Sequence, residues 1–163
     1  MISAIVAVDN NWGIGFNGDL LEHIPEDLKM FKQLTLGHTV VMGRKTWNSL
    51  PKAPLPERGN IVISSAKPLI MAKNTLRLPL EDVIEFLEYT NDEVFIIGGG
   101  TIYRELLSFC DRVYVTKIFK DHPNVDTYFP NLDEMDEWAP AACSSIHDYK
   151  DLTYQFWQYD RIN

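Results

Sequence analysis

Apolar residues along the chain follow two alternating patterns, and this alternation predicts the fold. Short runs rich in β-branched residues predict strands over residues 2–8, 39–42, 60–64, 75–78, 93–97 and 112–119. Helical spacing predicts helices over 25–35, 44–50, 80–89 and 101–109, most of which lie between these strands. The sequence therefore predicts an α/β fold with a single, mostly parallel sheet and crossover helices.

The end of the chain and three connecting segments depart from this alternation. Residues 154–159 have no helical pattern before them, so they predict an antiparallel C-terminal hairpin at one edge of the sheet. Segments 9–23, 51–59 and 121–133 are predicted to be loops, since glycines interrupt the first and prolines the second. A long glycine-bearing loop such as 9–23 is typical of a lid over a site.

Length, composition and charge narrow the class of protein. The 163 residues are 45% hydrophobic, which predicts one globular domain over 1–163. The net charge of −8 argues against nucleic acid or an anionic membrane as a partner, although the basic first half suits a small anionic ligand. Two cysteines match no metal spacing, and no leader or membrane-length apolar run is visible. We therefore expect a cytoplasmic protein without metal.

Asp27 is the first candidate for chemistry because it falls within an apolar helical stripe. Pro25 suits the first position of a helix, and Ile24, Leu28 and Phe31 surround the carboxylate at helical spacing. A carboxylate in an apolar wall has a raised pKa, or it binds a cationic or hydrogen-bonding ligand. The alternative is that Asp27 only stabilises the dipole of the first helical turn.

A glycine run follows the strand at 93–97. Gly98, Gly99 and Gly100 stand before the next helix, where bare backbone allows a pyrophosphate to approach free N–H groups. Tyr103 occupies the place of the last glycine in G-x-G-x-x-G, so the dinucleotide fingerprint is absent. The run indicates either a phosphate site or only a tight turn that requires positive φ.

Two further strand ends carry groups that bind anions. One has a glycine followed by two cations and a hydroxyl at a helix start, where cations oppose the helix dipole. The other has two serines with a lysine close behind. The residues are Gly43, Arg44, Lys45, Thr46, Ser64, Ser65 and Lys67. A solvated basic turn is the alternative, but three such strand ends on one sheet edge predict an extended, multiply phosphorylated cofactor.

These motifs occur in the order and spacing of a known family. They comprise the strand at 1–7, Gly13-Ile14-Gly15, Ile24-Pro25-Glu26-Asp27-Leu28, Val41-Met42-Gly43-Arg44-Lys45-Thr46-Trp47, Pro54-Leu55-Pro56-Glu57-Arg58, Ile97-Gly98-Gly99-Gly100-Thr101-Ile102-Tyr103 and Asp126-Thr127-Tyr128-Phe129-Pro130. With them the chain resembles dihydrofolate reductase of the bacterial type. The resemblance implies an eight-stranded, mostly parallel sheet with four helices. It also implies NADPH-dependent reduction of 7,8-dihydrofolate to tetrahydrofolate, which supplies one-carbon metabolism.

The resemblance further implies a pterin pocket. Asp27 would bind the amino group and ring N–H of the pterin and raise the basicity of the imine, with Thr116 supporting its carboxylate. Leu20 would be the closing residue of a lid over 10–20. The other implied substrate contacts are Ile5, Ala7, Leu28, Phe31, Leu50, Leu55, Arg58, Ile97 and Tyr103. Arg58 would pair with the glutamate tail of the substrate.

NADPH is the cofactor that the resemblance implies, with Arg44 and Ser65 on its 2′-phosphate. The turn at Gly98-Gly99 would contain a cis peptide bond. The full set of implied cofactor contacts is Ala7, Ile14, Gly15, Gly43, Arg44, Lys45, Thr46, Ser64, Ser65, Lys67, Gly98, Gly99, Gly100, Thr101 and Ile102.

Glu22 departs from the family pattern. Leu20-Leu21-Glu22 stands where many relatives have Leu-Pro-Trp, and the tryptophan of those relatives helps to hold a water near the pterin. Two consequences are open at this point: Glu22 raises the pKa of Asp27 through like charge, or it turns to solvent.

Other features leave alternatives open. Thr101 replaces an arginine that some relatives use near the 2′-phosphate, which leaves more of that contact to Arg44 and Lys67. The four histidines are scattered, and each is expected on the surface or in a loop rather than as a ligand. A related pterin or pyrimidine reductase, or a folate- or nucleotide-binding protein without turnover, is the alternative to a monomeric dihydrofolate-reducing enzyme.

Overall fold

The computed structural model describes residues 1–162. The helices are α1 (Pro25–Thr35), α2 (Arg44–Ser49), α3 (Leu80–Tyr89) and α4 (Gly100–Leu106). The strands are β1 (Ile2–Val8), β2 (Gly13–Phe16), β3 (Asp19–Leu20), β4 (Thr39–Gly43), β5 (Gly59–Ile63), β6 (Leu69–Ala72), β7 (Thr75–Leu78), β8 (Val94–Ile96), β9 (Arg112–Ile118), β10 (Thr127–Tyr128), β11 (Trp138–Tyr149) and β12 (Leu152–Arg161). The bounds predicted from the sequence pattern mostly agree within one residue. The exception is the helix predicted over 101–109, where α4 ends at Leu106 and a 3-10 turn continues to Phe109.

Nine strands form the main sheet, in the order β11-β12-β9-β1-β8-β4-β5-β7-β6. Neighbours from β9 to β7 are parallel, whereas β11, β12 and β6 pair antiparallel at the edges. The α/β class and the antiparallel C-terminal hairpin are therefore confirmed. The implied count of eight strands is one short, because β6 forms a tight hairpin with β7 through Asn74, whose φ is +58°.

Two of the predicted loops contain strands. Strands β2 and β3 lie within 9–23 and β10 lies within 121–133, and together they form a second sheet in the order β10-β2-β3. These strands are only two to four residues long, and so short a segment shows too little alternation to be predicted from its pattern. The small sheet ties segment 9–23 to the loop that follows β9.

Apolar side chains fill both faces of the main sheet. Val41 of β4 belongs to a cluster with Val83 of α3, whereas its neighbour Val40 packs in another cluster with Leu34 of α1 and Trp47 of α2. Successive strand residues point to opposite faces, so helices cover both sides of the sheet. The carboxyl ends of β4, β5 and β8 meet at one edge, where a ligand crevice forms in folds of this class. Within residues 1–162, no helix is both long and apolar enough to span a membrane.

Candidate active site

The carboxylate of Asp27 is partly buried, and a residue of the main sheet holds it in place through a hydrogen bond. Asp27 lies in the first turn of α1, after Ile24 and Pro25. Thr116 of β9 donates a hydrogen bond from Oγ1 to Asp27 Oδ1 at 2.6 Å. Burial raises the pKa of Asp27 above its usual value, and the Thr116 hydrogen bond opposes that rise. Asp27 is therefore held by a contact with the sheet as well as lying in the first helical turn.

Polar groups from β1 and α4 complete this end of the site. The Tyr103 hydroxyl donates to the carbonyl oxygen of Ile5 at 2.6 Å. Tyr103 is buried, and burial together with the charge of Asp27 raises the pKa of its phenol, so it remains a neutral donor. Ala7 is in register with Thr116 across β1 and β9, which places it beside the carboxylate.

A cavity of about 350 Å³ opens beside Asp27. Ile5, Phe31 and Thr116 line it next to the carboxylate, and it continues behind α1 towards the β11–β12 hairpin. The predicted residues Leu28, Leu50 and Leu55 are not part of this lining. Leu50 and Leu55 are partly buried beside α1 and α2, whereas the side chain of Leu28 is 56% exposed.

Arg58 is buried and firmly oriented. Its Nε donates to the carbonyl of Pro56 at 2.9 Å, and its Nη1 donates to Thr35 Oγ1 at 3.0 Å. Thr35 in turn donates to the carbonyl of Phe31 at 2.8 Å, so the guanidinium is tied to α1. Burial lowers the pKa of Arg58, but a guanidinium remains charged at neutral pH. A guanidinium oriented in this way has the fork geometry that can bind a carboxylate through two hydrogen bonds.

The glycines at the ends of β4 and β8 are in direct contact. The Gly43 N–H donates to the Gly98 carbonyl at 2.7 Å. A Cβ atom on Gly43 would lie 2.8 Å from the side chain of Ile102, and one on Gly98 would lie 3.2 Å from Tyr103. Gly98 also has φ +116°, and the Gly98-Gly99 peptide bond is cis, as the resemblance implies. The two turns thus form a side-chain-free cradle at the sheet edge.

Cations and hydroxyls flank this cradle. Arg44 and Lys45 are exposed at the start of α2, while Ser64 and Ser65 follow β5. Gly43 is in register with Ile63, so the two groups lie at adjacent strand ends. Lys67 is exposed in the segment after β5, and its carbonyl accepts two hydrogen bonds from Arg77 at 2.9 and 3.2 Å. The donors fit a phosphorylated ligand, and the bare backbone leaves room for its close approach.

Comparison with known proteins places the chain in a family. A family model described as dihydrofolate reductase matches residues 1–161. The chain belongs to the dihydrofolate reductase family. It is 38% identical over 164 residues to dihydrofolate reductase of Bacillus subtilis (strain 168), an alignment that covers 100% of this chain and 96% of that protein. It is 38% identical over 165 residues to the enzyme of Mycobacterium leprae (strain TN), with coverage of 99% and 98%.

A solved structure agrees with this assignment. Dihydrofolate reductase from Enterococcus faecalis, complexed with NADP(H) and RAB-propyl, matches with a TM-score of 0.85 and 31% identity. The match covers 100% of this chain and 97% of that chain. The α/β fold predicted from the sequence is thus the fold of dihydrofolate reductases.

In this member of the dihydrofolate reductase family, Asp126 anchors the segment expected to be the lid. Its backbone N–H donates to the Gly15 carbonyl at 3.0 Å, and its Oδ2 accepts the Asn17 N–H at 3.0 Å. That hydrogen bond, with one from Thr127, holds the pKa of Asp126 below its usual range. The sequence pattern indicates no role for Asp126, because its partners lie far away along the chain. Ile14 and Gly15 are buried near this anchor, and Leu20 is 54% exposed at the end of β3.

Both alternatives considered for Glu22 are wrong. Its Oε2 lies 3.0 Å from His122 Nε2 and 3.8 Å from Lys120 Nζ, so the side chain does not turn to solvent. Burial, and not a second carboxylate, raises the pKa of Asp27. The position of His122 agrees with the expectation that each histidine lies on the surface or in a loop. This residue lies in a loop, but its side chain is only 9% exposed and makes defined polar contacts.

The turn after β8 leads directly into α4. Thr101 is exposed and Ile102 partly buried at the start of α4, beside Gly99 and Gly100. In the part of the chain that the structure describes, no cluster of three or more His, Cys, Asp or Glu side chains has the arrangement of a metal site.

Proposed function

We propose that this protein reduces 7,8-dihydrofolate to 5,6,7,8-tetrahydrofolate with NADPH, and that Asp27 is the central group of its pterin site. The observation that carries the proposal is the Asp27–Thr116 pair, a carboxylate with a raised pKa at the wall of a cavity. When bound, NADPH supplies the hydride that goes to the imine carbon of the pterin.

Asp27 binds the pterin amino group and ring N–H in this proposal. Its negative charge raises the basicity of the adjacent imine nitrogen, which takes its proton from water. Thr116 keeps the carboxylate in one orientation through its 2.6 Å hydrogen bond. The carbonyls of Ile5 and Ile97 accept from the remaining amino protons, and Tyr103 orients the first of them.

The rest of the substrate lies along α1 and the segment before β5. Leu28, Phe31, Leu50 and Leu55 contact the benzoyl ring. Arg58 binds the glutamate α-carboxylate with the N–H groups that Pro56 and Thr35 leave free, which the contacts of its Nε and Nη1 support. A buried, oriented guanidinium has no evident use for a pterin or pyrimidine without such a tail, so the geometry favours a folate over those substrates.

The glycine cradle and its flanking cations bind NADPH. Arg44, Lys45, Thr46, Ser64, Ser65 and Lys67 hold the phosphates, with Arg44 and Ser65 on the 2′-phosphate. The nicotinamide and the adjacent pyrophosphate contact Ala7, Ile14, Gly15, Gly43, Gly98, Gly99, Gly100, Thr101 and Ile102. Leu20 closes the lid and excludes water from the reacting rings. The side-chain-free contact between Gly43 and Gly98 supports this placement.

We also infer a single-domain, monomeric, cytoplasmic enzyme. One main sheet contains strands from Ile2 to Arg161, which supports a single domain. Light scattering after gel filtration tests the monomer, since a dimer would give twice the mass.

The direct test is NADPH oxidation by the purified protein with and without dihydrofolate. We expect consumption of NADPH that requires dihydrofolate, and a much weaker response to a dihydropterin that lacks the glutamate tail. Arg58→Gln should remove most of that preference by raising KM for dihydrofolate alone. Binding of NADPH without turnover would favour the folate-binding alternative. Equal use of the tailless pterin would favour the related pterin reductase.

A further inference from the structure

His122 lies between two carboxylates from distant parts of the chain. Its Nδ1 is 3.1 Å from Asp9 Oδ2, and its Nε2 is 3.0 Å from Glu22 Oε2. The exposed fractions of the side chains are 9% for His122, 1% for Asp9 and 20% for Glu22. This arrangement is therefore shielded from solvent and is more than a surface ion pair.

The two contacts require a protonated ring if both are hydrogen bonds. A neutral imidazole carries one N–H, so one ring nitrogen would face a carboxylate with its lone pair. An imidazolium donates to both carboxylates at once. Histidine is the side chain that changes between these forms within the physiological pH range.

Asp9 is the fixed side of the arrangement. Its Oδ1 accepts the backbone N–H groups of Asn11 at 3.0 Å and Gly13 at 2.8 Å, and its Oδ2 also faces the backbone N–H of His122 at 3.3 Å. Glu22 has fewer restraints, since its other charged contact is Lys120 Nζ at 3.8 Å. A neutral His122 therefore keeps its proton towards Asp9, and the contact with Glu22 is the one that is lost.

The charged groups near His122 come from three places in the fold. Asp9 follows β1, Glu22 precedes α1, and Lys120 and Asp121 follow β9, where Asp121 accepts a hydrogen bond from the Asn11 side chain at 3.3 Å. Asp9 and Glu22 contact opposite ring nitrogens, so they do not converge on one point as metal ligands do.

This cluster joins the two ends of the lid. Asp9 and its backbone partners stand at the start of the lid, and Glu22 follows Leu20 at its end. We propose that protonated His122 is a positioning residue that fastens both ends of the lid over the active site, and that its deprotonation releases Glu22. The part of this inference that concerns turnover rests on the proposed function.

Glu22→Gln gives a sharp kinetic test. The glutamine amide accepts from a protonated Nε2 and donates to an unprotonated one, so it stays bonded to His122 in both forms. We expect kcat/KM of the wild type, relative to Glu22→Gln, to fall about three- to tenfold as the pH rises and the His122 ring loses its proton. His147→Gln is the matched control, because His147 contacts the single carboxylate of Glu26 at 3.3 Å, and it should keep the wild-type profile.

A second readout does not depend on turnover. Backbone amide resonances of residues 20–22 should titrate with the same midpoint as the His122 ring in the wild type. In His122→Gln, checked for an unchanged fold by circular dichroism, that titration should be lost. The inference would be overturned if the ratio of kcat/KM between wild type and Glu22→Gln did not change with pH. It would also be overturned if the resonances of residues 20–22 did not shift as the His122 ring titrates. Absence of dihydrofolate turnover together with an intact titration would count against the proposed function and leave the positioning role standing.

Discussion

Thr116 sets the state of Asp27, the residue that we propose binds the pterin. Its hydroxyl lies 2.6 Å from Asp27 Oδ1 and opposes the rise in the pKa of Asp27 that burial causes. A hydrogen bond to a charged group contributes about 1.5–3 kcal/mol. The carboxylate therefore stays ionised over a wider pH range than burial alone would allow, and the hydrogen bond restrains its orientation.

Thr116→Val should move the acid limb of the pH profile to higher pH. The variant keeps the shape of the side chain but removes the donor, so the pKa of Asp27 rises further and kcat/KM at neutral pH falls about tenfold or more. Thr116→Ser keeps the hydroxyl and should stay close to the wild type. A Thr116→Val profile that overlays the wild type would show that the hydrogen bond does not govern Asp27.

Asp27→Asn should stabilise the folded protein at neutral pH. The pKa of Asp27 is raised in the folded state, so its favourable contribution is complete below the usual value near 3.8 and is lost as pH rises through the raised value. Removing the charge should therefore raise Tm at pH 7 by about 2–4 °C, corresponding to about 1 kcal/mol. The rise in Tm should disappear in acid, where Asp27 of the wild type is protonated in both the folded and the unfolded protein. Thermal melts at both pH values test this, and a loss of stability at pH 7 would contradict it.

At the scale of secondary-structure elements, the turns after β4 and β8 depend on each other. Their contact is the 2.7 Å hydrogen bond from Gly43 to Gly98, with Ile102 of α4 packed against Gly43. Neither turn would form the cradle alone. This explains why glycine is needed at Gly43, where φ is ordinary at −81° but no space exists for a side chain.

Gly43→Ala should weaken NADPH binding and destabilise the fold. The added Cβ would lie 2.8 Å from Ile102 Cγ1, and overpacking of this kind costs about 1–3 kcal/mol. Ile102→Ala removes the opposing atoms, so the double variant should recover most of the lost stability. Fluorescence titration measures the affinity for NADPH, and chemical denaturation measures the free energy of unfolding. Failure of Ile102→Ala to restore stability would place the strain elsewhere.

At the scale of the whole molecule, charge separates along the chain. Residues 1–80 carry nine Lys or Arg against six Asp or Glu, whereas the remainder carries six against seventeen. The cations of the first half include Arg44, Lys45 and Lys67, which the fold exposes near adjacent strand ends. An acidic protein thus has a local basic edge, and the positive potential of such an edge speeds association with a polyanion.

Arg44→Ala should distinguish NADPH from NADH. If Arg44 contacts the 2′-phosphate, its loss raises KM for NADPH about tenfold or more, while KM for NADH hardly changes. The effect of Arg44→Ala on KM for NADPH should be smaller at high ionic strength, because salt screens an exposed charge contact. Equal losses for the two cofactors would mean that the 2′-phosphate lies elsewhere.

The spacing of apolar residues predicts the secondary-structure elements, because these depend on residues close together in the sequence. The parallel strands, α1 and the apolar stripe around Asp27 follow from residues a few positions apart. The β2–β10 pairing and the Glu22–His122 contact do not, since His122 lies 100 residues from Glu22 and 113 from Asp9. The pairing of Thr116 with Asp27 came from family resemblance alone, because the two residues are 89 positions apart. Contacts of this kind depend on the tertiary fold, which spacing along the chain does not encode.

The rate of hydride transfer in a single turnover, measured for wild type and Asp27→Asn across the pH range, tests the role of Asp27 most directly. NADPH binding should be unchanged in the variant, and its rate at neutral pH should fall about 10²- to 10⁴-fold. That rate should rise again in acid, where solvent protonates the imine without help from the carboxylate. A variant that transfers hydride at the wild-type rate at neutral pH would contradict the account.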